Sequence, residues 1–162
     1  MNRDDRDLYN KPGHLIRRLQ QIAVAVFLSK TEGFDITPVQ YSALLALNNH
    51  PGVDQTTLMQ IVALDRSTIG EVIGRLAAKG LVKRAVGKQD RRTKRLEITP
   101  AGRRLLAAMH SINDDVQKTI LAPLAPAERR QFVRLVRKLV EQNNDRSRVP
   151  LKSRTAKRGG RA

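Results

Sequence analysis

Asp65-Arg66-Ser67-Thr68-Ile69-Gly70-Glu71-Val72-Ile73-Gly74-Arg75-Leu76 is the stretch on which the fold turns. Ile69, Val72, Ile73 and Leu76 recur at three- and four-residue spacing, which predicts a helix with one buried stripe. Asp65 stands at the N-cap position, and Gly80 stands where a glycine ends a helix that runs to Lys79. The face left outward carries Arg66, Ser67, Thr68, Gly70, Glu71, Gly74 and Arg75. Upstream, Asp54 or Gln55 caps a shorter helix ending at Val62, with Leu58, Ile61 and Val62 inward. Only Ala63-Leu64-Asp65 separates the two helices. Two helices joined by so short a turn match a helix-turn-helix, whose second helix lies in the major groove of a duplex.

The flanking sequence extends this unit. Residues 81–86 and 94–98 read as a hairpin, with Leu96 and Ile98 inward and Arg95 and Glu97 outward. Its tip is Lys88-Gln89-Asp90-Arg91-Arg92-Thr93. Thr99-Pro100 is an N-cap followed by a first-turn proline; it starts a long helix lined by Leu105, Leu106, Met109, Ile112, Val116 and Ile120. A last helix begins near Pro126 and carries Phe132, Leu135, Val136, Leu139 and Val140. On the N-terminal side, Pro12-Gly13-His14 opens a helix to about Glu32 with Leu15, Leu19, Ile22 and Val26 on one stripe. Thr37-Pro38-Val39-Gln40 combines an N-cap, a first-turn proline and a capping-box glutamine ahead of Tyr41, Leu44, Leu45 and Leu47. The fold class expected is therefore mainly α with a small antiparallel β-hairpin wing, a winged helix-turn-helix flanked by dimerisation helices. The divisions expected are an N-terminal dimerisation helix in residues 1–36, a DNA-binding lobe in 37–100, C-terminal dimerisation helices in 101–144 and a disordered basic tail in 145–162.

Charge supports a polyanionic partner. The 162-residue chain carries a net +16 with a sequence pI near 11.3. Residues 54–104 hold 12 basic against 5 acidic side chains, and residues 146–162 hold 7 basic and none acidic. Residues 1–53 and 105–145 each hold 6 against 5. The excess is confined to the helix-turn-helix block and the tail, which disfavours a uniformly solvated basic surface. Aromatic residues make up 3 % of the chain, too few for single-strand binding by base stacking. Without cysteine there is no disulfide, thiolate zinc site or thiol redox chemistry. No apolar run approaches the ~18 residues that span a bilayer, and no secretory stretch follows Met1, so a cytoplasmic protein with no membrane association is expected. No cofactor is expected. An enzyme has no positive sign either: His14, His50 and His110 are far apart, and there is no glycine-rich phosphate loop.

Several of the candidate DNA contacts have a plainer alternative. Arg66, Ser67 and Thr68 reach base edges and phosphates if the helix enters the groove. Gln55, Thr56 and Thr57 can offer backbone amides at a helix N-terminus to phosphate. Glu71 could accept from a cytosine amino group, or hold Arg75 at i,i+4 within the helix. Arg91, Arg92 and Lys94 can grip phosphates or enter a minor groove, or belong to an exposed solvated turn. Gly70 and Gly74 each cost about 1 kcal/mol relative to alanine in a helix. They serve either close packing on a neighbouring helix or close approach to a DNA wall.

These residues resemble the MarR family of winged-helix transcription regulators over about residues 12–142. The resemblance is most specific at Leu64-Asp65-Arg66-Ser67-Thr68, Arg75-Leu76 and Lys79-Gly80-Leu81-Val82, and at Asp90-Arg91-Arg92-Thr93-Lys94, Leu96, Ile98-Thr99-Pro100 and Gly102. It implies double-stranded DNA as partner, an obligate homodimer, Arg92 probing the minor groove and repression of nearby genes. The chain departs from many members at Gly70 and Glu71, where Thr and Arg are frequent.

The apolar faces of the first and last two helices exceed what a small winged helix needs. A homodimer reading two half-sites would bury them; a larger monomeric core is the alternative. Many such regulators sense small aromatic acids, and segments resembling Lys11-Pro12-Gly13-His14-Leu15-Ile16-Arg17-Arg18 occur in members tied to aromatic catabolism. A small aromatic carboxylate effector would then meet His14, Arg18 and Tyr41, with Arg18 holding the carboxylate. The alternative is that His14 caps the helix start and Arg18 pairs on the surface. A ligand-released repressor is one functional reading; a sequence-tolerant architectural DNA-binding protein with no effector is the other.

Overall fold

The computed structural model describes residues 7–86 and 94–151. Among them six α-helices and one hairpin follow in the order α1 (Pro12–Lys30), α2 (Pro38–Asn49), α3 (Gln55–Val62), α4 (Arg66–Ala78), β1 (Val82–Val86), β2 (Lys94–Ile98), α5 (Pro100–Ile120) and α6 (Pro126–Gln142), with a 3-10 turn at Asn144–Arg146.

Local chemistry sets most of these boundaries. Thr37 Oγ1 accepts from the Gln40 amide while Gln40 Oε1 accepts from the Thr37 amide, closing a reciprocal capping box on α2. Asp54 caps α3 through the Thr57 amide at 2.7 Å, so the cap is Asp54 and not Gln55. Thr99 Oγ1 accepts from the Gly102 amide to start α5, and its own hydroxyl donates to the Gly80 carbonyl. Gly80, at φ +67°, ends α4 in the left-handed conformation, which lets the Leu81 amide reach back to the Leu76 carbonyl.

The core lies where α2, α3, α4, the hairpin and the middle of α5 converge. Leu44, Leu47, Leu58, Ile69, Ile73, Leu76 and Met109 are fully buried there. The hairpin is antiparallel, pairing Val82 with Ile98 and Arg84 with Leu96; Leu96 and Ile98 face the core as the alternation predicts. One feature has no local signal. Val53 accepts from the Leu96 amide at 2.8 Å and Asp54 bridges to Arg95, so the α2–α3 linker adds a third, minimal strand to the wing's base. Gly102 shows how tightly α5 sits on that base: an added Cβ would lie 2.4 Å from the Leu81 carbonyl oxygen and 2.7 Å from Ile98 Cγ1.

One region differs from expectation. The proposed tail begins with structure, since Asn144 clamps Leu151 by both backbone groups (2.9 and 3.0 Å). Residues 145–151 are thus folded back on the end of α6, and the remainder of the tail lies outside the described residues. Leu45 is an exposed residue of α2, one position off the stripe of Tyr41, Leu44 and Leu47.

Candidate nucleic-acid interface

The recognition segment is built as an exposed helix on a rigid back. Ile69, Val72, Ile73 and Leu76 are buried, while Arg66, Ser67, Glu71, Gly74 and Arg75 are exposed and Thr68 and Gly70 half-buried. The α3–α4 turn places Ala63 at φ +54°, with the Leu64 amide reaching the Met59 carbonyl. A cleft of about 200 Å³ opens between the two helices, lined by Gln55, Thr56, Met59, Arg66 and Ile69. It brings the start of α3 and the arginine opening α4 to one surface. The Thr57 amide is already held by Asp54, so among the three proposed backbone contacts only those of Gln55 and Thr56 remain at the mouth of the helix.

Asp65 is the busiest group on this surface. One carboxylate oxygen accepts from the Thr68 amide at 2.9 Å and the Ser67 hydroxyl at 2.7 Å; the other accepts from the Thr68 hydroxyl at 2.9 Å. The Thr68 amide, then the Ser67 and Thr68 hydroxyls, hold the carboxyl down at about 2, although it is fully exposed. Sequence reasoning identified Asp65 as a cap and missed its hold on both hydroxyls. The Asp-x-Ser-Thr spacing was the available signal.

Glu71 and Arg75 meet at 3.9 Å along the helix, a loose and exposed pair of the weak kind. The glycines are not there for packing. An added Cβ at Gly74 would meet nothing within 4 Å, and at Gly70 only the end of the Gln55 side chain at 3.6 Å. Of the wing residues, Lys94 opens β2 opposite Val86. Arg91 and Arg92 lie outside the described residues.

The proposed effector residues are placed apart in their engagements. Lys11, not His14, is the N-cap of α1. His14 meets the Tyr9 ring edge-on at 5.5 Å, and its Nδ1 faces Arg17 at 3.4 Å. Arg18 donates along its own helix to Gln21 at 3.3 Å, the surface pairing offered as the alternative. Tyr41 is buried against Phe27, and burial followed by the Asp114 charge pushes its phenol up.

A model described as the MarR family matches residues 34–93, which spans α2 to the wing. The transcriptional regulator HosA of Escherichia coli O157:H7 is 32% identical over 133 residues, covering 82% of this chain and 97% of HosA. This chain belongs to the MarR family. The HTH-type transcriptional repressor NicR of Pseudomonas putida is 30% identical over 139 residues, 86% of this chain and 88% of NicR. Among solved structures, Bordetella bronchiseptica BpsR, whose DNA binding is regulated by 6-hydroxynicotinic acid, superposes with a TM-score of 0.77. It is 31% identical, with 82% of this chain and 94% of BpsR covered. As a MarR-family protein the chain is a winged-helix transcriptional regulator and not an enzyme.

Proposed function

We propose that this MarR-family protein is a homodimeric repressor that binds a palindromic operator in double-stranded DNA. A small aromatic carboxylate releases it, and the genes controlled serve aromatic-compound catabolism or efflux. The observation that carries the reading is the outward face of α4, whose arginines, hydroxyls and glycines (Gly74 open, Gly70 met only by the end of Gln55) stand on a packed back. In this reading Arg66, Ser67, Thr68, Glu71 and Arg75 meet the major groove. Gln55 and Thr56 offer their backbone amides to phosphate while the Thr57 amide stays with the Asp54 cap, and Arg91, Arg92 and Lys94 grip beside it. Residues 37–100 form the DNA-binding lobe, and the helices before and after it form the dimer.

The dimer is supported by surface the protomer leaves uncovered. Leu15, Ile16, Leu19 and Ile22 on α1, and Val133, Leu135, Val136, Leu139 and Val140 on α6, are exposed large apolar side chains. A second copy covering them would set two α4 helices about one DNA turn apart, ~34–36 Å. The effector reading rests on chemistry and on the behaviour of BpsR. Arg18 would exchange Gln21 for the carboxylate, with the protonated Tyr41 phenol and His14 completing the site. Release requires that the acid prefer the dimer spacing that misfits the operator.

Protection of duplex upstream of the protein's own gene, with and without a panel of hydroxylated benzoic and pyridine carboxylic acids, tests this. A protected palindrome bound ~10³-fold or more over random duplex, and freed by one acid, is expected. A ratio near one would establish the architectural reading instead. Arg92→Ala should reduce the slope of log affinity against log salt by about one unit.

A further inference from the structure

The charge state of Asp65 has a consequence for what the first turn of α4 can read. An ionised carboxylate only accepts hydrogen bonds, and each hydroxyl has a single hydrogen to give. In this structure Ser67 and Thr68 both give theirs to Asp65, at 2.7 and 2.9 Å. What the two oxygens present outward is then lone pairs. Phosphate oxygens, guanine O6 and N7, and thymine O4 are acceptors too, so none of them matches. The major-groove groups that do match are the exocyclic amino groups, N6 of adenine and N4 of cytosine. Turning a hydroxyl outward to donate would break a charge-assisted bond, the stronger class. The exposed carboxylate at the same place also repels phosphate.

We propose that Asp65 sets the hydrogen-bonding polarity of the recognition helix, so that Ser67 and Thr68 select an amino-bearing base, adenine or cytosine, in the strand they face. Asp65 is thus a positioning residue acting through the two hydroxyls, and the proposal rests on α4 lying in the major groove. It follows that one position in each half-site discriminates amino from keto bases. The depressed carboxyl keeps this polarity constant throughout the neutral range.

The test is selection from random duplexes with the full-length chain, followed by affinity measurements on the selected site. The wild type should yield a position that prefers A or C on one strand. Replacing an adenine there by purine, which lacks the N6 amino group, should weaken wild-type binding about three- to tenfold, the value of one neutral hydrogen bond. A selected cytosine is probed in the same way with 2-pyrimidinone. Asp65→Asn keeps a carbonyl for the Thr68 amide but its NH2 group cannot accept, which leaves one hydroxyl free to donate outward. This variant should lose both the preference and the sensitivity to purine, and leave the other positions as they were. Ser67→Ala combined with Thr68→Val should do the same without touching the cap, and adding Asp65→Asn to that pair should change nothing further at this position.

A selected site whose preference is unmoved by either variant, or which favours G or T there, overturns the proposal and leaves the groove reading standing. Should Asp65→Asn not fold, the Ser67/Thr68 double variant with the base analogue decides alone. No selected sequence at all would overturn the groove reading, and this inference with it.

Discussion

Helices α4 and α6 carry the same apolar signal and meet opposite fates. On α4 the stripe of Ile69, Val72, Ile73 and Leu76 is buried against α2, α3 and the hairpin. On α6 the stripe of Leu135, Val136, Leu139 and Val140 repeats at helical spacing, yet no residue of that helix is buried, and Leu139 is 58% exposed. Period alone identifies a face that seeks cover. It does not say whether the cover comes from the same chain. A helix of 17 residues with so much exposed apolar surface is marginal by itself, so its stability depends on something that packs there.

The contrast can be broken most forcefully on α6. Leu139→Asp should convert the proposed dimer to a monomer in sedimentation and lower operator affinity by about 10²–10⁴, since one half-site then binds without its linked partner. Circular dichroism of the lobe should be retained. A variant that stays dimeric would show that α6 is covered in some other way. On the buried side, Leu76→Ala, at 0% exposure, should cost about 2–5 kcal/mol of unfolding free energy in denaturant melts. Next comes the seam between lobe and α5. Gly102→Ala forces a methyl onto the Leu81 carbonyl and Ile98, and should cost roughly 1–3 kcal/mol or more.

The outward face of α4 should behave in the reverse sense. Gly74→Ala meets open space, so it should stabilise the fold by about 1 kcal/mol while weakening operator binding. If affinity rose or held, close approach of DNA at Gly74 would be wrong. The smallest effect is expected at Asp65. Its carboxyl lies at about 2 in the fold against an ordinary 3.8, so its contribution is whole above that ordinary value and fades as pH falls toward 2. The difference in melting temperature between wild type and Asp65→Ala should therefore hold constant from about pH 8 to 5 and shrink as the pH falls from there through about 2.

Much of the lobe was legible because its signals are local. Thr37, Asp54, Asp65 and Thr99 each satisfy an amide three residues ahead, a relation that needs no tertiary context. The hairpin's inward pair, Leu96 and Ile98, follows from strand alternation in the same way. Contacts between distant residues left no such trace. Lys79 reaches back to both the carbonyl and the carboxylate of Asp35, which sits in the left-handed region at φ +46°. Lys30 pairs with Asp115 across α1 and α5, and Val53 joins β2. Arg18 turned to its own helix and Tyr41 to Phe27, a choice that only side-chain packing makes.

By itself the order of residues determined where helices begin and end, which of their faces are apolar, and that a basic block surrounds a helix-turn-helix. Those properties depend on neighbours within a turn or two, where hydrogen bonding and period act directly. Tertiary structure alone decided that Gly102 is a contact and Gly74 an opening, and that α6 keeps its apolar face uncovered within the protomer. Each of these depends on what chain folding brings, or fails to bring, within a few ångströms of a residue.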